Sequence, residues 1–197
     1  MQIQAGTLKR KNFLRGGILL TLENLSVNFG DKKALSKINL KVAKGEILFV
    51  TGVSGAGKTT LLRCIAGDVN PSKGKVNGIE RNIFISRVFQ DLRLIQDLSV
   101  WENLRLSFDP LIYKNQKEFK DEAVRLCNFF SIKDRLNDNV MNLNGGLKQL
   151  IALIRSLLSK PELILLDEPT SSLDTESALR VFELLEKLNE ISGLTCI

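Results

Sequence analysis

The stretch "GVSGAGKT", from Gly52 to Thr59, constrains the fold of this chain more than any other segment. It matches the pattern G-x-x-x-x-G-K-[ST] at every fixed position. The compact apolar run "EILFV" (46–50) precedes it, and "TTLLRCIAG", which has helical periodicity and stops at Gly67, follows it. Strand, glycine-rich loop and helix in this order open a βαβ unit, so the sequence predicts an α/β fold with a parallel sheet.

The same loop predicts a site for nucleotide phosphates. Its glycines let backbone N–H groups wrap around the β- and γ-phosphates. Lys58 supplies a point charge to these phosphates, and the hydroxyl of Thr59 can coordinate Mg²⁺. A glycine-rich turn with a chance lysine is the alternative, and the strand and helix on its two sides argue against it. We therefore expect ATP and Mg²⁺ to bind here.

Two adjacent carboxylates follow a second apolar run. In "LILLDE", Asp167 and Glu168 stand at the C-terminal end of a predicted buried strand, where open α/β sheets place their ligand sites. Asp167 would hold Mg²⁺ through water, and Glu168 would orient and deprotonate the attacking water. The alternative, a pair that only caps a loop, is disfavoured by the phosphate-binding loop elsewhere in the chain.

The remaining segments predict how the rest of the chain is organised. Alternating apolar and polar residues at 18–27 and 37–42 are typical of half-buried antiparallel strands. Residues 100–135 favour helices broken near Pro110. The predicted fold class is α/β: a P-loop NTPase core with a parallel sheet, an antiparallel β subdomain at the N-terminal side and a helical subdomain insertion at about 92–142. We further predict a turn at 71–74, strands at 82–89 and 163–167, a helix at 175–191 and a last strand beginning at "LTCI".

The 197 residues are enough for one sizeable core. We assign 1–17 to a basic N-terminal tail and 18–197 to the ATP-binding domain. A solvated tail is our interpretation of its basic cluster, with docking on an anionic membrane or an acidic partner as the alternative. The cluster comprises Lys9, Arg10, Lys11 and Arg15.

Composition disfavours several other classes of protein. The net charge of +6 is spread along the chain, and a single Trp and a single Tyr offer few surfaces for base stacking, so we expect no nucleic-acid partner. Three widely spaced cysteines predict reduced thiols, and the absence of histidine removes His-based catalysis. No uncharged apolar run approaches the roughly 18 residues of a membrane span, and the first residues lack a signal-peptide core. We therefore expect a cytoplasmic protein.

The polar stretch "LNGGLKQ" (143–149) precedes a run with helical periodicity, "LIALIRSLL". Two glycines in a row are typical of a flexible turn. They also stand at a predicted helix N-terminus, where unpaired N–H groups and the helix dipole can receive an anion. The residues alone leave both interpretations open.

Taken together and in this order, these motifs resemble the ATP-binding subunits of ABC transporters over nearly the whole chain. In "SVNFG", the resemblance implies that Phe29 stacks on adenine, although a buried strand aromatic would look the same. In "VFQD", it implies that Gln90 contacts Mg²⁺ and the attacking water and senses a membrane partner; "SSLD", ending in Asp174, resembles the loop that communicates across a dimer. The phosphate-binding loop would contact ATP through Gly52, Ser54, Gly55, Ala56, Gly57, Lys58, Thr59 and Thr60.

The resemblance also gives "LNGGLKQ" a role. The family loop L-S-G-G-Q closes over the γ-phosphate held by a second subunit, so it implies a homodimer with two ATP molecules between the chains. Here Asn144 replaces the serine and keeps a polar donor, while Leu147 replaces the glutamine and cannot donate a hydrogen bond. Gly145 and Gly146 preserve the backbone N–H groups. We expect an atypical but functional site, with a weakly hydrolysing one as the alternative.

Within the family, "FVTGVSGAGKTTLL" and "VFQDLRLIQDLSVWENL" are similar to the cell-division subfamily FtsE, which pairs with the membrane protein FtsX. Lipoprotein-releasing and macrolide-export ATPases are close alternatives. The resemblance implies an ATPase on the inner face of the cell membrane, paired with an FtsX-like protein or a permease. A scaffold that binds ATP and scarcely hydrolyses it is a second class of function, and a DNA-associated ATPase is disfavoured. The family's histidine after the last strand has no counterpart, so we expect the protein to continue past Ile197.

Overall fold

The computed structural model describes the backbone of residues 4–7 and the full residues 17–78 and 83–197. The described chain forms two compact units. Unit 1 contains the residues up to Ile85 together with Glu162–Asp167 and Leu185–Ile197, and unit 2 contains Ser86–Pro161 and Glu168–Leu184. The strands are β1 Gln4–Thr7, β2 Ile18–Phe29, β3 Lys32–Ala43, β4 Leu48–Thr51, β5 Lys73–Asn77, β6 Ile85–Val88, β7 Leu163–Leu166 and β8 Thr195–Cys196. The helices are α1 Lys58–Ile65, α2 Val100–Arg105, α3 Gln116–Phe129, α4 Gly145–Leu158 and α5 Thr175–Ser192.

The antiparallel subdomain predicted at the N-terminal side is confirmed by a sheet of order β3-β2-β5. Alternate residues of β2 enter the core, among them Leu20 and Leu22. The register then shifts between Leu22 and Leu25, and Asn24 adopts a φ of 49°, so that Leu25 is buried as well. This β-bulge keeps the apolar face of β2 continuous beyond the irregularity.

Strand β5 corrects the turn that we predicted at 71–74. Lys73 already pairs with Ser26 of β2 at the start of β5, and Gly74 lies in β5 where the register with β2 shifts. Gly74 has a φ of +81°, and a Cβ there would clash with the carbonyl oxygens of Glu23 and Asn24. The glycine marks a close approach to the bulged strand, and a sequence pattern does not distinguish this from a turn.

The predicted parallel core is confirmed in unit 1. Strand β7 runs parallel to β8, and a further parallel bridge joins Ile47, just before β4, to Cys196 of β8. The sheet that contains β7 and β8 has the order β6-β7-β8. Helix α1 packs Leu61 and Ile65 into the same apolar cluster as Leu163 and Leu165 of β7.

Strand β1 differs from the predicted tail. Gln4–Thr7, which lie within the segment that we assigned to the N-terminal tail, form a strand that pairs antiparallel with Leu48–Thr51. The sequence "QAGT" carries no strand signal of its own, and its backbone pairing with β4 supplies the hydrogen bonds. The basic cluster that we assigned to the tail lies outside the described residues.

Unit 2 is mainly helical. Helix α2 begins with a capping box: the Ser99 hydroxyl oxygen accepts from the Glu102 N–H at 3.2 Å, and the Glu102 carboxylate accepts from the Ser99 N–H at 2.8 Å. Helices α2 and α3 lie within the predicted insertion, and the chain between them holds Pro110. Aromatic rings join this region, with Tyr113 and Phe119 in edge contact at 5.1 Å between ring centroids. Among the described residues, no helix is long and apolar enough to cross a membrane.

Candidate nucleotide-binding site and glycine-pair loop

The loop from Gly52 to Thr59 lies between β4 and α1, as predicted. Gly55 and Gly57 have φ values of 75° and 99°, in the left-handed region that favours glycine. A Cβ on Gly57 would lie 2.5 Å from the carbonyl oxygen of Ala34, so the loop could not pack against β3 with any other residue there. Gly55 and Gly57 are therefore required by the backbone conformation of the loop, and Gly57 is also required by the packing of the loop against β3.

Lys58 is the first residue of α1, and its ammonium group lies against the loop. Its Nζ donates to the carbonyl oxygens of Gly52, at 2.9 Å, and of Val53, at 3.3 Å. The first turn of α1 carries no acidic side chain, so nothing in that turn offsets the positive end of the helix dipole. Thr59 is exposed one residue further on. This arrangement suits an anion with several oxygens.

The parallel pairing brings Asp167 to the same sheet edge as this loop. Strand β8 lies between the chain entering β4 and strand β7, and the three run parallel. The carboxyl ends of β4 and β7 therefore meet at one edge, two strand spacings apart, or roughly 10 Å. Asp167 follows β7 directly and is half-buried.

These groups fit a magnesium ion. A hydroxyl and a carboxylate are hard oxygen ligands, and Mg²⁺ in phosphate-transfer sites takes few protein ligands beside phosphate and water. Thr59 and Asp167 supply such oxygens in unit 1. Among the described residues, no group of three or more His, Cys, Asp or Glu could hold a metal by itself.

Glu168 lies in unit 2 with an exposed side chain and a left-handed backbone, φ 52°. Its carbonyl oxygen accepts a hydrogen bond from Nε2 of Gln149 at 2.6 Å and from the N–H of Ser171 at 3.2 Å. Gln149, on α4, is only 4% exposed. Our sequence reasoning missed Gln149, although it is the last letter of "LNGGLKQ" and stands one helical turn beyond Gly145.

The glycine pair begins helix α4, as predicted. Asn144 is the N-cap, and its side-chain oxygen accepts from the N–H of Leu147 at 2.9 Å. This leaves its amide nitrogen as the donor toward any ligand. A Cβ on Gly146 would lie 2.9 Å from the carbonyl oxygen of Ser172, whereas one on Gly145 would meet Ser172 at an ordinary 3.5 Å. Gly146 is therefore required by its own unit, and Gly145 is not.

The other predicted residues take different positions. Phe29 ends β2 with half of its ring surface exposed, so its interpretation as a buried strand aromatic is wrong. Gln90 is exposed in the turn that follows β6, in unit 2. Asp174 caps α5, accepting from the N–H and hydroxyl of Ser177 at 2.9 and 2.7 Å, and these hydrogen bonds lower the pKa of the Asp174 carboxyl. Ser54 is exposed, Ala56 is buried, and Thr60 is half-buried in the first turn of α1.

The three cysteines are free thiols, as predicted, and all are buried. Burial raises the pKa of Cys127 to about 11 and that of Cys196 to about 12. Thiols with such pKa values are protonated at neutral pH and make poor nucleophiles. They play no part in the site described above.

Comparison with known proteins agrees with this geometry. A family model described as "ABC transporter" matches residues 35–171. The lipoprotein-releasing system ATP-binding protein LolD of Ehrlichia ruminantium (strain Gardel) is 38% identical, over 86% of this chain and 82% of LolD. The macrolide export ATP-binding/permease protein MacB of Campylobacter jejuni is 36% identical, over 87% of this chain and 29% of MacB. The dimeric structure of MJ0796, a bacterial ABC transporter cassette, superposes with a TM-score of 0.76 at 30% identity, covering 90% of this chain and 86% of that one.

Proposed function

Because this chain belongs to the ABC transporter family and is one of its ATP-hydrolysing domains, we propose that it binds ATP with Mg²⁺, dimerises around two ATP molecules and drives a separate membrane protein. The observation that carries the proposal is the loop from Gly52 to Thr59, with its left-handed glycines and Lys58 at the start of α1. Backbone N–H groups, a helix N-terminus and one ammonium converge there on the space a triphosphate would take.

We assign the following roles in hydrolysis. Lys58 contacts the β- and γ-phosphates, while Thr59 and Asp167 hold Mg²⁺, Asp167 through water. Glu168, next in the chain, acts as general base on the attacking water, and Gln90 contacts that water and Mg²⁺. When bound, Mg²⁺ would neutralise charge on the phosphate oxygens. The adenine ring stacks on Phe29, and the remaining contacts come from Gly52, Ser54, Gly55, Ala56, Gly57 and Thr60.

Dimer formation gives the glycine-pair loop its function. Asn144, Gly145 and Gly146 approach the γ-phosphate bound by the partner chain, using the N–H groups that a helix N-terminus leaves unpaired. The dimeric structures of MJ0796, one of them a post-hydrolysis state bound to ADP and Pi, support the dimer on which this role depends. Leu147 contributes no hydrogen bond to the phosphate, so we expect slower turnover than with glutamine at this position.

The membrane partner can be proposed by class. The similarity to LolD supports a partner in lipoprotein release, and the similarity to MacB supports an export permease. A second candidate, the FtsE-like role in cell division with an FtsX-like protein, is favoured by the segments "TGVSGAGK" and "FQDLRLIQD". In each case the chain would bind at the inner face of the cell membrane. Co-expression with each candidate partner, followed by affinity purification from detergent, separates them: the true partner co-purifies and stimulates phosphate release.

Phosphate release and nucleotide affinity test the activity itself. We expect Lys58→Ala to weaken ATP binding by about tenfold to a hundredfold, because it removes charge-assisted hydrogen bonds worth roughly 1.5–3 kcal/mol. Lys75→Ala is the matched control, since Lys75 pairs with Glu23 on the surface of the same unit. We expect Glu168→Gln to bind ATP normally and release no phosphate above background. Unchanged affinity in Lys58→Ala would overturn the site. If the unmodified chain binds ATP normally but releases almost no phosphate, even with its membrane partner, the result would instead support a scaffold that binds ATP and scarcely hydrolyses it.

A further inference from the structure

Two consecutive residues of α4 hold the chain on both sides of Gln90. Before it, the carbonyl oxygen of Arg87 accepts a hydrogen bond from the hydroxyl of Ser156 at 3.1 Å. After it, Nη2 of Arg155 donates to the carbonyl oxygen of Leu92 at 2.9 Å, and Nη1 donates to that of Arg93 at 2.8 Å. All of these residues belong to unit 2. The exposed Gln90 is thus carried on a short segment attached to α4 at both ends.

The segment after Gln90 has an unfavourable backbone. Leu92 and Arg93 adopt φ values of 57° and 46°, and two successive residues with a Cβ rarely share the left-handed region. Such a conformation persists only where surrounding contacts determine it. Here the turn is closed by the N–H of Leu92, which donates to Phe89, and by the N–H of Arg93, which donates to Asp91.

Arg155 supplies the contact that fixes this turn. Its planar guanidinium presents two donors, held in a fixed geometry, to two neighbouring carbonyl oxygens, whereas an ammonium is a point charge on a flexible stem. Among the described residues, Arg155 forms no ion pair with a carboxylate, and burial lowers the pKa of its guanidinium. Arg155 is half-buried, and its charged side chain directs two hydrogen bonds at backbone carbonyls. It therefore stabilises the conformation that places both carbonyls beside it.

Side-chain stacking adds to the same arrangement. The guanidinium carbon of Arg93 lies 3.4 Å from the ring centroid of Phe89, the residue just before Gln90. The guanidinium carbon of Arg87 lies 5.0 Å from the same centroid. The Arg93 contact spans Gln90 and so requires the chain to reverse direction there, whereas the Arg87 contact is local to the chain before Gln90. The left-handed pair and the stacked ring therefore form one structure.

We propose that Arg155 is a positioning residue for Gln90: it stabilises the left-handed turn at Leu92 and Arg93, and so makes the Gln90 segment move together with α4, whose N-terminus carries the glycine pair. The proposal rests on the proposed function only for the role of Gln90 in hydrolysis. Its structural part, that Arg155 determines the conformation of the segment, stands independently and can be tested without nucleotide.

Hydrogen exchange of the nucleotide-free chain tests the structural part. We expect Arg155→Gln to speed exchange at the amides of Leu92 and Arg93 by about tenfold or more, with the amides of α4 unchanged. Arg155→Lys should give an intermediate value, because a flexible ammonium keeps the charge but lacks the two donors that the guanidinium holds in a fixed plane. Arg125→Gln is the matched control, since Arg125 pairs with Glu122 on α3 in the same unit. Unchanged exchange at the two turn amides, or an equal increase throughout α4, would overturn the proposal.

A glycine rescue tests the functional part. If Arg155 acts by stabilising a left-handed turn, Arg155→Gln should lower kcat for ATP hydrolysis on the order of tenfold and leave KM nearly unchanged. Adding Leu92→Gly, which removes the steric cost of the positive φ, should restore most of that kcat. Leu92→Gly alone should keep normal turnover. Failure of the glycine to rescue would show that Arg155 serves only the packing of α4. Loss of ATP binding in the unmodified chain would overturn the proposed function, while the exchange result would still stand.

Discussion

The side-chain amide of Gln149 donates a hydrogen bond of 2.6 Å to the backbone carbonyl of Glu168, and its amide oxygen accepts one of 2.9 Å from the N–H of Ser172. The helix that begins with the glycine pair therefore holds the backbone of the proposed general base at one end of a short segment and Ser172 at the other. Because Gln149 is buried and neutral, it can make both bonds without bringing a charge into the interior. Glu168, at the start of this segment, has a left-handed φ of 52°.

Gln149→Ala removes these hydrogen bonds and a longer one from Nε2 to the Ser171 hydroxyl, so the Ser172 N–H loses its side-chain partner and the Glu168 carbonyl keeps only its bonds from Ser171. We expect it to lower the free energy of unfolding by about 2 kcal/mol, measured by urea denaturation. Turnover should fall more than ATP affinity, because Glu168 loses its support and Lys58 does not. Lys148→Ala, which removes only a bond to the Met141 carbonyl, should have little effect on either quantity. Equal stabilities of the two variants would contradict this role for Gln149.

Phe29→Ala tests the adenine contact. Stacking of a base on an aromatic ring contributes roughly 1–3 kcal/mol, so ATP affinity should fall by about fivefold to a hundredfold. Phe29→Trp should retain it. Phe84 has a similarly exposed ring in the same unit, and Phe84→Ala should bind ATP normally. Affinity is measured with a fluorescent ATP analogue. If Phe29→Ala, Phe29→Trp and Phe84→Ala all bind it equally well, Phe29 does not contact the adenine.

Exposed residues after Gln90 test the partner surface, which we expect between Arg93 and Trp101. Leu94 and Val100 are buried there, so Ile95, with 46% of its surface exposed, is the suitable position. Ile95→Ser should reduce co-purification with the membrane subunit and leave ATP binding intact. Leu111→Ser, in the same insertion and at a still more exposed site, should co-purify normally. If Ile95→Ser abolishes ATP binding, the region is core and the assignment is wrong.

The double change Asn144→Ser with Leu147→Gln tests whether the loop is atypical or degenerate. Serine is as good an N-cap as asparagine, so α4 should begin at the same residue. Glutamine adds the donor that Leu147 lacks. We expect faster steady-state phosphate release. Turnover that stays the same would support the weakly hydrolysing alternative.

Much of this arrangement could be predicted from sequence, because the segments on either side of each main motif show which strand or helix the motif joins. The parallel core is predicted by the strand, loop and helix around Lys58. The sheet edge that holds the site is predicted by the buried strand that ends just before Asp167. Other features depend on tertiary contacts that no local pattern records. From sequence, Gly74 is predicted to lie in a turn. In the structure it lies in strand β5, where the backbone of β2 is too close to leave room for a Cβ. Gln149 ends the stretch "LNGGLKQ", but our sequence reasoning gave it no role, because its importance depends on which backbone groups lie beside α4.

The two glycines of the pair show the same limit. From sequence, Gly145 and Gly146 are both predicted to allow the backbone to approach a phosphate closely. In the structure, Gly146 is already confined by the Ser172 carbonyl of its own chain, so a substitution there would disturb the segment after Glu168 whether or not a second subunit binds. Gly145 has only ordinary contacts, and it is the position that can report on the dimer alone.

The most direct test of the account is the mass of the Glu168→Gln chain with bound ATP, measured by light scattering on size exclusion. We predict a dimer with ATP and a monomer with ADP, since the γ-phosphate joins the two chains. Adding Gly145→Val should return the ATP sample to monomer with nearly unchanged ATP affinity, because the phosphate-binding loop and the glycine pair serve one nucleotide from different chains. A Gly145→Val double variant that still dimerises with ATP would show that "LNGGLKQ" is only a capped turn before a helix, and would contradict the account.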